Sequence, residues 1–99
     1  MLVVRKISYE HGIILVAADK ELLGKRFEEA GLQLDLTSPF YEGAETAESE
    51  LPSLLKKAYI THLVGKRAVE IAIREGIVDR RNVIEVEGIP HAETVCAEA

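Results

Sequence analysis

Leu2-Val3-Val4-Arg5-Lys6-Ile7-Ser8, then Tyr9-Glu10-His11-Gly12, then Ile13-Ile14-Leu15-Val16-Ala17: the reading of this opening stretch decides the fold. The first segment alternates loosely and is rich in β-branched residues, which suits a pleated strand. The last is a near-continuous apolar run, the mark of a buried strand. The residues between them form a turn, so the chain is predicted to open with an antiparallel hairpin.

Working outward, Asp19 stands in the place of an N-cap before a helical spacing of Leu23, Phe27 and Ala30. Glu21, Lys25 and Glu29 line another face, and Gly31 stands where such a helix would stop. Leu32, Leu34 and Leu36 alternate with polar residues as in a half-exposed strand. A loop follows, with Phe40 and Tyr41 at its centre. A second helix is predicted from about Ser49, with Pro52 in its first turn and Leu51, Leu54, Leu55 and Ala58 on its apolar face. A third helix, capped by Thr61, is predicted to bury Val64, Ala68, Ile71 and Ala72 and to stop at Gly76. A short strand over Tyr59–Leu63 competes with the start of that helix. Val83–Glu87 reads as a last strand, broken by Gly88-Ile89-Pro90-His91.

The pattern predicts a single α+β domain over residues 1–99. It would have a mixed sheet of about four strands opened by the N-terminal hairpin, with about three helices mainly on one face. A three-layer α/β arrangement is the alternative.

The composition, 47% apolar and 29% charged, is that of a globular protein. No apolar run approaches the roughly 20 residues that cross a bilayer, so no membrane partner is expected. The single cysteine, Cys96, cannot close an internal disulfide, which fits a reducing cytoplasm. Gln33 and Asn82 are the only side-chain amides, and fourteen Glu accompany twelve Lys and Arg, a pattern associated with heat adaptation.

Net charge is −5 but unevenly spread. Residues 32–55 carry five acids and no base, whereas residues 56–81 hold seven Lys or Arg against three acids. Within and before that basic segment, Gly24-Lys25-Arg26 and Gly65-Lys66-Arg67 echo one another near predicted helix starts. Helix N-termini offer free N–H groups and partial positive charge, so Lys25, Arg26, Gly65, Lys66 and Arg67 are candidate anion-binding residues, with Arg80 and Arg81 extending the face. The phosphate-loop pattern itself is missing, since Arg67 replaces its Ser/Thr. Phe40 and Tyr41 are candidates for stacking, and His91 for a general base or phosphate donor in a strand-end loop. His11, His62 and His91 form no HxH or HxxxH pair, so neither a metal site nor a cofactor is predicted.

Four segments occur together in order. They are Ala18-Asp19-Lys20-Glu21-Leu22-Leu23-Gly24-Lys25, Phe40-Tyr41-Glu42-Gly43, Leu63-Val64-Gly65-Lys66-Arg67-Ala68-Val69 and Gly88-Ile89-Pro90-His91-Ala92. In these the chain resembles a small archaeal family, domain of unknown function 424. The resemblance implies an archaeal source and carries no activity with it. Three functional expectations stand side by side. The first is a non-enzymatic RNA- or ribosome-associated module using the basic face. The second is a small anionic-ligand site or enzyme built on Gly65, Lys66 and His91. The third is a homo-oligomeric scaffold, with a homodimer suggested by the high apolar fraction.

Overall fold

In the computed structural model, which describes residues 1–95, the opening stretch is the hairpin β1 (Leu2–Tyr9) and β2 (Gly12–Asp19). Tyr9 pairs with Gly12, so Glu10 and His11 alone make the turn. The remaining strands are β3 (Arg26–Glu29), β4 (Leu32–Asp35), β5 (Ala44–Thr46), β6 (Ile60–Val64), β7 (Ile84–Val86) and β8 (Ile89–Val95). Two α-helices are present among the described residues, α1 (Leu51–Lys57) and α2 (Lys66–Arg74). Cys96 lies outside the described residues. No helix is long and apolar enough to cross a membrane.

Six strands form one mixed sheet in the order β5-β1-β2-β6-β8-β7, with β2 and β6 parallel and the other neighbours antiparallel. Both helices lie on one face. Leu51 and Leu55 of α1 and Ala68, Val69, Ile71 and Ala72 of α2 pack there against Leu2, Val4, Leu15, Ala17, Leu63 and Ala92. The other face is covered by β3 and β4, which pair only with each other, and by a 3-10 turn at Pro39–Tyr41. There Leu34, Leu36 and Tyr41 meet Val16, Ala18, Val64 and Val86. Successive residues of a strand face opposite ways, so Leu15 and Ala17 serve one layer and Val16 and Ala18 the other. This is why the run in β2 is apolar without alternation.

The class is α+β as predicted, with more strands and fewer helices. The expected helix after Asp19 is a 3-10 turn (Lys20–Leu22) followed by β3. Leu23 is extended, and Ala30 and Gly31 both take positive φ, 51° and 83°, which closes β3 and β4 with a two-residue hairpin turn. The spacing of Leu23, Phe27 and Ala30 therefore marks no helical face: Phe27 faces the core across a strand and Ala30 sits at the turn. The competing strand reading holds at Tyr59–Leu63, realised as β6, and Val64 belongs to that strand and not to the third helix. The predicted break at Gly88–His91 is instead a tight turn followed directly by β8. Pro90 is tolerated because β6 pairing ends at Val64 with His91, leaving Pro90 opposite Glu85 of the three-residue edge strand β7. The third layer is a β-hairpin, so the three-layer α/β alternative does not hold.

One contact fixes how β2, β6 and α2 meet. Asp19, only 3% exposed, ends β2 and reaches the first turn of α2. Its carboxylate accepts from the N–H groups of Arg67 and Ala68, both at 3.0 Å. Gly65 links β6 to α2 at φ 108°, and a Cβ there would overlap the Asp19 carboxylate.

Candidate functional site

On the hairpin side of the sheet, the register of β6 and β8 gathers three side chains the sequence leaves far apart. His62 sits opposite Glu93, and His91 opposite Val64, so the two imidazoles are diagonal neighbours with ring centroids 4.7 Å apart. Glu93 Oε1 is 3.1 Å from His62 Nδ1 and 3.5 Å from His91 Nε2. One ligand-capable atom from each of the three residues lies within 4.8 Å of the others. The His91 Nε2 atom is buried and makes no hydrogen bond.

The 3-10 turn at Pro39–Tyr41 supplies a roof. Ser38 caps it by accepting from the Phe40 N–H, and an Arg5 guanidinium nitrogen donates to the Pro39 carbonyl at 2.9 Å. The Tyr41 hydroxyl, brought in by a ring only 8% exposed, bonds His62 Nε2 at 3.0 Å. The Phe40 ring meets that of His62 at 89° with centroids 5.1 Å apart. His62 is thus held at both nitrogens, by Glu93 and by Tyr41.

Burial holds the His62 imidazole below its ordinary pKa, with His91 adding to the effect and Glu93 opposing it. Burial lowers His91 in the same way, against the pull of Glu93. Both rings therefore favour the neutral form, the form that binds a metal. Burial raises the Tyr41 hydroxyl, helped by Glu93 and Asp35, so that it stays a neutral hydrogen-bonding group.

The basic candidates are distributed differently. The N–H groups of Arg67 and Ala68 at the start of α2, expected to receive a ligand anion beside Gly65, are taken by Asp19. Gly65 itself donates to the Pro90 carbonyl. Arg67 Nη1 donates to both Glu21 carboxylate oxygens, at 2.6 and 2.7 Å, and Arg67 Nε lies 3.6 Å from Glu48. Arg80 pairs with Glu70, and Arg81 with Asp79. Lys66 is exposed and lines a groove of about 380 Å³ with Val69, Glu70, Ile73, Arg80, Val83, Glu85 and Pro90. The two Gly-Lys-Arg turns open different kinds of element: Lys25 and Arg26 lead into β3, with Arg26 opposite Asp35, whereas Lys66 and Arg67 start α2. His91 lies within β8, paired with Val64 next to Gly65, and its ring turns to the face away from α2, against His62.

Of the sequence candidates, Phe40, Tyr41 and His91 come together. His62 and Glu93 are not among those candidates. The pattern His91-Ala92-Glu93 is the signal that was available, because residues two apart on a strand share a face.

The comparisons with known proteins bear on family and fold. No curated protein matches. A crystal structure of an uncharacterized conserved protein from Methanopyrus kandleri is similar in fold, with a TM-score of 0.78 at 17% identity, covering 99% of this chain and 95% of that one. A family described as "Protein of unknown function (DUF424)" matches over residues 8–96. With nearly its whole length matched, the chain belongs to that family.

Proposed function

We propose that this protein binds a divalent transition-metal ion of the zinc class through His62 Nδ1, His91 Nε2 and the Glu93 carboxylate. The observation that carries the reading is the spacing of these atoms around a buried imidazole nitrogen with no hydrogen bond of its own. In a tetrahedral zinc site with bonds near 2.0–2.1 Å, ligand atoms stand about 3.3 Å apart. The 3.1 and 3.5 Å separations to Glu93 bracket that edge. Metal binding at Nδ1 would leave the His62 Nε2–H to donate to Tyr41, the outer hydrogen bond that fixes the tautomer of a ligating histidine. Two histidines and a glutamate with a fourth position open form the ligand count of catalytic rather than structural zinc sites. A metal there would act as a Lewis acid on a bound oxygen.

Cobalt(II) titration of chelator-treated protein tests this. One equivalent should give the visible absorption of tetrahedral cobalt, and His91→Ala, His62→Ala and Glu93→Gln should each weaken binding by about a hundredfold or more. Wild-type protein without those bands, or variants that bind equally while folded by circular dichroism, would overturn the reading.

RNA remains a second reading, and what favours it is an aromatic cluster and not the arginine pairs. Tyr9, His11 and Tyr59 gather their rings within 6.3 Å of one another at the β1–β2 turn, and Lys56 and Lys57 end α1 just before Tyr59. The exposed His11 ring and the half-buried Tyr9 and Tyr59 rings, beside two exposed lysines, suit single-stranded RNA, by stacking and phosphate attraction. Fluorescence anisotropy with a labelled oligouridine at low salt should show binding that Tyr59→Ala weakens about tenfold. Undetectable binding, or equal binding by both proteins, removes this reading.

A further inference from the structure

The proposed metal site sits in an apolar surround. Five large hydrophobic residues are markedly exposed among the described residues, and three of them, Phe40, Ile84 and Val95, border this cluster. Phe40 packs on the His62 ring. Ile84, 50% exposed, pairs with His91 across β7 and β8. Val95 follows Glu93 by two residues and pairs with Ile60, so the pair adjoins the row of His62 and Glu93. Glu93, with 60% of its side chain exposed, marks the solvent side.

Charge narrows what such a surround admits. A divalent ion held by one carboxylate and two neutral imidazoles carries a net charge of about +1. A monoanionic oxygen donor neutralises it, and a neutral assembly is what an apolar rim tolerates best. A dianion would leave a negative charge with no cation to meet it. Among the described residues, the ion pairs of Glu93 are with His62 and His91 alone, and no lysine or arginine joins them. The one guanidinium of the roof, Arg5, is engaged by the Pro39 carbonyl.

Resting on the metal reading above, we infer that the fourth coordination position takes the carboxylate of a small monoanionic acid whose apolar body lies against Phe40 and Ile84. Phosphate esters and dicarboxylates are disfavoured by the same site.

The test uses the cobalt-loaded protein and reads perturbation of its visible bands by acetate, butyrate, hexanoate and inorganic phosphate. Affinity should rise about threefold per added methylene as the chain covers apolar surface, and phosphate should bind more weakly than acetate. In Phe40→Ser/Ile84→Ser the hexanoate-to-acetate affinity ratio should collapse toward one. Equal affinity for acetate and hexanoate, tighter binding of phosphate, or an undiminished ratio in the double variant would each overturn the ligand assignment. These failures presuppose cobalt bands, so they are distinct from failure of the metal site, in which no bands form.

Discussion

Asp19→Ala should lower the free energy of unfolding by about 3 kcal/mol, a large part of the 5–15 kcal/mol typical of a whole domain. Two donors depend on this carboxylate, the N–H groups of Arg67 and Ala68, and Ala68 is fully buried. Leaving a buried N–H unpaired costs about 1–3 kcal/mol, and losing a helix cap about 0.5–2 kcal/mol. The two overlap, since one side chain does both. Burial pushes the Asp19 carboxyl above its usual pKa while those hydrogen bonds pull it down, so the charge is itself a cost and the acceptors are the gain. Asp19→Asn, which keeps an acceptor without the charge, should therefore be milder than Asp19→Ala. Gly65→Ala attacks the same joint from the other side. Its Cβ would overlap the carboxylate, and φ 108° disfavours any side chain. A loss of about 3 kcal/mol is expected from crowding and backbone strain together. Urea unfolding followed by circular dichroism measures all three variants. A loss below about 1 kcal/mol for both Asp19→Ala and Gly65→Ala would show that this joint does not hold the layers together.

The same joint shows where sequence reading succeeds and where it stops. The hairpin and both helices were legible because local patterns decide them: an unbroken apolar run in β2, and apolar stripes on α1 and α2. Asp19 reads as a cap in the sequence, but of the wrong helix. The one it serves begins nearly fifty positions later, and only the parallel pairing of β2 with β6 brings the two together. Residues 20–30 carried a helical spacing that tertiary structure overrode, with Ala30 and Gly31 turning the chain through positive φ. The basic stretch is real in composition, yet Arg67 meets Glu21, an acid far outside it that the fold supplies, and Arg80 meets Glu70, one of the three acids within it. His62 could not be chosen over His11 from the sequence, because its partners are fixed by the register of β6 with β8, and the strand β8 was hidden behind Pro90. The site thus rests on strand register, which the chain specifies only after its layers have packed.

Zinc at a hundredfold its dissociation constant should stabilise the protein by about 2.7 kcal/mol at pH 7.5, through binding to the folded chain alone. For a domain of this size that corresponds to a rise of roughly 10–20 °C in the unfolding midpoint. The pH dependence follows from the two imidazoles. Their folded pKa values lie below the ordinary 6.5, chiefly through burial. In the metal-free protein the unfolded chain therefore takes up protons near pH 6.5 that the folded chain refuses. Stability should be constant above that pH and should fall as pH drops through it toward the folded values. Zinc requires the neutral rings, so it competes with protons only below the lowered folded pKa values. Its stabilising effect should accordingly persist at pH 6.5 and vanish at lower pH, as the rings finally protonate. At the same zinc concentration, His91→Ala should cut the zinc-dependent stabilisation at pH 7.5 to about 0.4 kcal/mol or less. It should also flatten part of the acid loss in the metal-free protein, because one of the two refusing imidazoles is gone. Thermal unfolding with and without zinc, across pH 5 to 8, reads both effects. A zinc-induced rise undiminished in His91→Ala would place the ion elsewhere. Acid sensitivity unchanged by that substitution would mean the buried imidazole pair is not what limits stability at low pH.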